Sequence, residues 1–381
     1  MRILHTSDWH LGRTFHGTSL HDLAGRVLDE LIDLVTTEKI DVVLVSGDVY
    51  DQAQPRPETV RLLDSVFTRL TALGTQVIAI SGNHDSAVRL GFGSSMLAAS
   101  GLHLVTSPEQ VGTPIEIEKD GARVGFYGIP YLEPRPTAEL WGTEASHTAV
   151  LTEAMHRIQE NAQGQDYAAT VVLSHCFATG GEGSDSERDI SVGGAISAPA
   201  SIFSRATYTA LGHLHGKQKI TESVRYSGSL LAYSFSEKNH RKGAWIIDLD
   251  AQGKADTTEY HWKNHLALAT LRGPLAEILS EDYQDRYRNA FLSITLTDPE
   301  RPAQALEQLR AAYDNVHELY FEPVGVADRP THSYRRTSTA QSPEAICDSF
   351  FTHVRDRALN EEEKTFLRSI LEEVRLTGAS A

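Results

Sequence analysis

Over residues 1–130 the chain alternates short branched apolar runs with stretches whose apolar side chains recur at helical spacing. This alternation limits it to an α/β arrangement, a layer of strands with helices on both faces. Asp41–Ser46 (DVVLVS) is almost continuously β-branched and reads as a buried strand. Arg2–Thr6 and Gln76–Ser81 read as strands beside it. Leu20–Thr36 puts Leu20, Leu23, Val27, Leu31 and Leu34 on one helical face, and Pro57 opens a helix through Leu73. Ala87–Ala99 is expected to be helical. The pattern continues with strands at Arg123–Tyr127, Ala169–Ser174, Tyr208–Leu211, Val224–Ser227 and Ala244–Asp248, and a helix at His147–Ala162.

After about Asp250 the texture changes. Residues 266–325 read as a small strand–helix–strand unit, with strands at Phe291–Thr297 and Val316–Phe321 and a helix from Pro302 to Tyr313. Residues 328–341 read as a polar linker. Two helices then close the chain. The first starts at Ser342-Pro343-Glu344 and repeats Ile346, Phe350, Val354 and Ala358. The second is capped by Asn360 with Glu363 in a capping box, and carries Phe366, Leu367, Ile370, Leu371 and Val374. Residues 178–200 are rich in Gly, Ser and acid and read as a long loop.

Composition narrows the class. The 381 residues carry 35 Lys+Arg against 51 Asp+Glu, a formal charge of −16, which argues against a coat protein that binds nucleic acid by neutralising its phosphates. It leaves room for an enzyme that handles phosphates through bound cations. With 40% apolar and 23% charged residues the chain is an ordinary globular one, long enough for two or three domains. No run approaches the ~18 apolar residues of a membrane span, and no signal peptide is expected. Only Cys176 and Cys347 occur, so a disulfide framework is not expected and a reducing cytoplasm fits.

Seventeen histidines remain to be placed, and many stand in short polar segments at strand ends. Asp8-Trp9-His10-Leu11-Gly12 follows the first strand, Gly47-Asp48-Val49-Tyr50-Asp51 the second and Gly82-Asn83-His84-Asp85 the third. Ser174-His175 and Gly212-His213-Leu214-His215 end the two later strands. Sites in open α/β sheets gather outside the carboxyl ends of strands, so five segments can converge on one locus. Carboxylates, imidazoles and an amide without a thiolate suit a hydrolytic centre of Mn, Fe or Zn and disfavour a structural zinc site. In Asp8-x-His10 and His213-x-His215 an extended backbone would aim both side chains to one face, and a turn would let them diverge to different metals. The glycines of these segments suit tight strand-to-loop turns.

DxH, GDxxD, GNHD, a lone His and GHxH, in this order, resemble the signature of the calcineurin-like metallophosphoesterases. The opening RILHTSDWHLG, the ALGHLH segment and VRYSGSLLAYSFSE resemble a narrower group, the SbcD-type nuclease subunits. The resemblance implies layered β-sheets flanked by helices, a small α+β capping domain and a C-terminal helical tail. The corresponding divisions are a nuclease domain at 1–265, the cap at 266–327, the linker at 328–341 and a partner-docking tail at 342–381. It also implies two Mn2+ ions. Asp8, His10 and His215 would ligate one, Asn83, His175 and His213 the other, and Asp48 would bridge them. His84 would be the catalytic histidine rather than a ligand, held in place by Asp85. Archaeal relatives have a second histidine where this chain has Asp51, which is therefore left outside the catalytic set. The implied activity is cleavage of double-stranded ends, hairpins or single strands of DNA in repair and recombination. The implied partners are an SbcC-like ATPase of the SMC type and a second copy of the chain. No G-x-x-x-x-G-K-[ST] phosphate loop occurs, so ATP hydrolysis would fall to the partner. A small-molecule phosphatase or phosphodiesterase of the same superfamily, and a non-catalytic DNA-tethering scaffold, are the competing readings. His5, His103, Trp9 and Cys176 are expected to be structural. Arg335-Arg336 is too small for a DNA patch.

Overall fold

A computed structural model of the chain describes residues 1–187, 197–324 and 359–378, and positions 344, 345, 347, 348, 350 and 351. The chain divides into two compact units, one of residues 1–297 with 302–322, the other of 298–301 with 323–381.

In the first unit the strands form two six-stranded sheets rather than one central layer. The first runs in the order Ala255–His261, Gly243–Leu249, Arg2–Thr6, Val42–Ser46, Gln76–Ile80, Leu102–Val105; the last four are parallel and the first two antiparallel. The second runs Gln218–Lys219, Val224–Tyr226, Tyr208–Gly212, Ala169–His175, Ala122–Ile129, Ile115–Lys119, with its four middle strands parallel. The sheets pack face to face. Ile3, Val42, Leu44, Ile78 and Ile80 of the first meet Phe126, Val171, Leu173, Tyr208 and Ala210 of the second. This explains the unbroken β-branching of Val42–Ser46: alternate side chains enter the sandwich, and the others lie under the helices His21–Glu38 and Pro57–Ala72. His147–Ala162 and Pro134–Trp141 cover the outer face of the second sheet. His5 ties the sheets together, its Nδ1 2.9 Å from the Tyr208 hydroxyl and its Nε2 3.1 Å from the Leu211 carbonyl. Trp9, Cys176 and His103 pack or hydrogen-bond within the fold.

The expected helix at Ala87–Ala99 is broken into Ala87–Leu90 and Ser94–Leu97, because Gly93 turns to φ +75° between them. Strands at Leu102–Val105 and Ile115–Lys119 were not expected. The first carries a polar His103 and the second alternates half-buried Ile with Glu and Lys at a sheet edge, which dilutes their apolar signal.

A three-stranded parallel sheet, Leu268–Gly273, Phe291–Leu296 and Val316–Phe321, builds its own core with Leu275, Ile278, Leu309 and Tyr313. Its helix begins at Ala305, three residues later than expected, after Gln304 at φ 51°. This small sheet is joined to the sandwich through rings: Phe15 lies 5.4 Å from Phe291 and 5.6 Å from His317.

In the second unit, Glu361–Gly378 is helical. The capping box is formed, with the Glu363 N–H donating to Asn360 Oδ1 and the Asn360 N–H to Glu363 Oε2, both at 2.9 Å. Phe366 and Ile370 are exposed. The linker at 328–341, residues 188–196 of the long loop, and Ile346, Val354 and Ala358 of the preceding helix lie outside the described residues. No helix among the described residues is long and apolar enough to cross a membrane.

Candidate metal centre

The parallel strands of both sheets deliver their carboxyl ends to one end of the sandwich. Asp8 follows Arg2–Thr6, Asp48 follows Val42–Ser46, Asn83 follows Gln76–Ile80, His175 ends Ala169–His175 and His213 follows Tyr208–Gly212. Backbone contacts lock these ends together: the Asp8 N–H donates to the Gly47 carbonyl, the His10 N–H to the Asp48 carbonyl, and the His213 N–H to the Asp8 carboxylate at 3.0 Å. Asp8, His10, Asp48 and His213 all adopt positive φ (51°, 42°, 48° and 104°). Each such residue costs roughly 1–3 kcal/mol, and the surrounding ladder holds them there. The segments are therefore turns, so His213 and His215 diverge.

Asp8, His10 and His215 bring ligand atoms within 4.8 Å of one another, as do Asp8, Asp48 and His175, and His10, Asp48 and His84. Asp48 stands between the groups, its Oδ2 3.6 Å from His10 Nε2 and 3.5 Å from His175 Nε2. Asn83 Oδ1 is 2.8 Å from His175 Nε2, and the His213 ring lies 5.4 Å from the His175 ring. The seven candidate ligands thus share one locus. Gly82 is needed there, since a Cβ would strike the Asp48 carboxylate.

The outer nitrogens decide how the imidazoles face inward. His175 Nδ1 lies 2.9 Å from the Ser46 carbonyl, which only accepts, so the proton sits on Nδ1 and Nε2 presents a lone pair. That lone pair faces Asn83 Oδ1, also an acceptor. His215 Nδ1 lies 3.3 Å from the buried Glu237 carboxylate, which puts its Nε2 lone pair 3.0 Å from His10 Nε2. The outer Nδ1 of His10 is buried 3.5 Å from Asp51 Oδ1 and makes no hydrogen bond. Ring nitrogens, an amide oxygen and a carboxylate that converge at these distances suit a shared cation. Electrostatics point the same way. Burial, then Asp48, pushes the Asp8 carboxyl well above its ordinary value. Burial pushes His10 and His213 well below theirs, and His175 to about 4. A buried set of neutral imidazoles and mutually repelling carboxylates, all O and N donors, fits divalent cations.

His84 Nδ1 donates to the Asp51 carbonyl at 2.8 Å, and its Nε2 stands 4.0 Å from Asp48 Oδ2. Asp85, expected to hold the His84 ring, follows it directly in the chain. Its carboxylate accepts from the backbone N–H groups of Val49, Tyr50 and Gly82 at 2.8–3.1 Å, and so pins the Asp48 and Asn83 loops to each other. The Asp51 main chain supports the His84 ring through the bond to Nδ1. Burial, then Asp48, pushes the Asp85 carboxyl up to about 7.

The sequence reading missed the support behind His215. Glu237, 1% exposed, takes Lys242 Nζ at 2.5 Å and the Tyr233 N–H at 3.2 Å as well as facing His215. From the long loop, Ser186 Oγ reaches His215 Nδ1 at 2.5 Å and Glu187 Oε1 accepts the His215 N–H at 2.8 Å. Glu237 lay in a quoted segment, but nothing in its spacing tied it to a ligand.

Residues 1–148 match the calcineurin-like phosphoesterase family, and residues 265–355 match SbcD_C, described as the type 5 capsule protein repressor C-terminal domain. Solved structures similar to the chain include the calcineurin-like phosphoesterase YfkN from Bacillus subtilis, 14% identical, covering 69% of this chain and 90% of that one with a TM-score of 0.40. Another is a dimetal phosphatase from Danio rerio, 12% identical, covering 68% and 99% with a TM-score of 0.42. Residues 1–148 are thus similar to a calcineurin-like phosphoesterase domain, and residues 265–355 to a segment of the SbcD C-terminal type.

Proposed function

We propose that the chain is a Mn2+-dependent DNA nuclease subunit that hydrolyses phosphodiesters beside an SMC-type ATPase of the SbcC kind in the cytoplasm, as a homodimer within a larger complex. The observation that carries the hydrolytic part is the convergence of His10 with His215 and of His175 with Asn83 on either side of Asp48. The match of residues 265–355 supports the nuclease part.

In this reading Asp8, His10 and His215 would hold one ion and Asn83, His175 and His213 the other, with Asp48 available to both. When bound, the two cations supply charge neutralisation and Lewis-acid polarisation at the phosphoryl group. His84, with its Nδ1 proton committed to the Asp51 carbonyl, keeps Nε2 for the substrate. As an imidazolium it donates the Nε2 proton to the departing oxygen. Asp85 keeps the two loops at the spacing this requires. The 266–327 segment serves as the cap that selects DNA shape.

The test is cleavage of linear duplex and single-stranded DNA with Mn2+, with and without the ATPase partner. His84→Ala should bind Mn2+ within about twofold of the parent and lose about 10²–10⁴-fold in cleavage, the usual worth of a general acid. Asp48→Asn should lose both. Hydrolysis of a small phosphodiester with no cleavage of any DNA would replace the nuclease reading by the small-substrate one. Parental cleavage by His84→Ala would overturn the role of His84.

A further inference from the structure

Beside the Gly216–Gln218 segment, which follows His215 directly in the chain, lies a polar cleft of about 360 Å³, within the usual range of small-ligand sites. Lys217, His240, Arg241 and His261 line it, against Glu182 and Glu259. Its walls are tied together. Gln218 Nε2 donates to the Glu182 carbonyl at 2.6 Å and the Glu182 N–H donates back to Gln218 Oε1 at 2.8 Å, which clamps the long loop to the edge strand. Lys217 extends over the Trp245 ring at 5.4 Å, its side chain 6% exposed, and pairs with Glu259 at 3.0 Å. His261 Nε2 lies 3.4 Å from the same carboxylate. Glu259 is thus already matched by a cation.

Besides the exposed carboxylate of Glu182, a residue that bonds Gln218 through its main chain, two groups are left over. Arg241 is exposed and has no carboxylate within ion-pair distance among the described residues. His240 Nδ1 is buried without a hydrogen-bond partner. The same short segment serves both sites: the His240 N–H donates to the Glu237 carbonyl at 2.8 Å, while the Glu237 carboxylate supports His215.

We propose that this cleft is a subsite for a backbone phosphate of the nucleic acid, one next to the phosphodiester being cut. The inference rests on DNA being the substrate. A chain that cuts an internal phosphodiester always has a neighbouring phosphate one nucleotide away, and an acidic protein of net charge −16 must meet it with local positive charge. Arg241 presents a planar fork of donors suited to phosphate oxygens, and Lys217 adds a second charge from the cleft wall.

The test is binding of a fluorescein-labelled single-stranded oligonucleotide to the full chain, read by anisotropy at several salt concentrations with EDTA present to stop cleavage. Arg241→Gln should weaken binding about 5–20-fold and lower the salt slope by about one counterion. Glu259→Gln, which removes the anion competing for Lys217, should tighten binding several-fold. A merely structural role would move both variants the same way. Binding by Arg241→Gln within twofold of the parent, or weakened binding by Glu259→Gln, would overturn the subsite while leaving DNA cleavage by the parent intact. A parent chain that neither binds nor cuts DNA would overturn the nuclease reading and the subsite together.

Discussion

Glu237 shows how much of the proposed metal site lies outside its candidate ligands. Burial pushes its carboxyl up, but His215 and Lys242 outweigh that and hold it below the usual carboxylate range. A ligand histidine needs its outer N–H engaged, and loss of that partner typically costs ~10–100-fold in metal affinity or activity. Glu237→Gln should therefore weaken Mn2+ binding by that factor in titration calorimetry. It also strands the buried Lys242 ammonium, which should lower unfolding free energy by about 3–5 kcal/mol. Pairing it with Lys242→Met should restore much of the stability in denaturant melts and none of the metal affinity. Recovery of both would mean that Glu237 acts only as a structural ion pair.

Among the elements, the first long helix does more than cover the sheet. Glu30, on its buried face, accepts from the Tyr260 hydroxyl, the backbone N–H groups of Lys263 and Asn264, and Asn264 Nδ2, all at 2.8–2.9 Å. It thereby anchors the strand that leads out of the sandwich towards the small parallel sheet. Burial raises its carboxyl, but these donors outweigh burial and hold it below the ordinary 4.5. With a depressed folded-state value, the stabilisation is complete above about pH 4.5 and is lost as the pH falls through the lower folded value. Glu30→Gln should cost about 1–3 kcal/mol at pH 7 and flatten the stability–pH curve below 4.5, as read by urea midpoints. A curve parallel to the parent's would reject this role.

For the whole molecule, the second unit carries the remaining prediction. Its capped helix Glu361–Gly378 exposes Phe366 and Ile370, which the proposed function would lay on the partner ATPase. Deleting residues 342–381 should abolish co-elution with the SMC-type ATPase in gel filtration while metal-dependent phosphodiester hydrolysis persists. Unchanged co-elution would reject docking through the tail.

Much of this was readable in advance. The candidate ligands stand in short Asp, His, Asn and Gly segments at the ends of strands whose β-branched runs are unmistakable, and the Asn360 cap follows from local hydrogen bonding alone. Chemistry of that kind is local, so neighbouring residues suffice to reveal it. What only the tertiary structure decided is long-range. That the strands form two sheets follows from side chains of both meeting across one interior. That His84 answers to the Asp51 main chain while Asp85 staples two loops depends on backbone groups that carry no signature in residue type. Glu237, Ser186 and Arg241 acquire their places from segments packed beside them, because a carboxylate, hydroxyl or guanidinium becomes part of a site only when folding sets its partner within hydrogen-bonding reach.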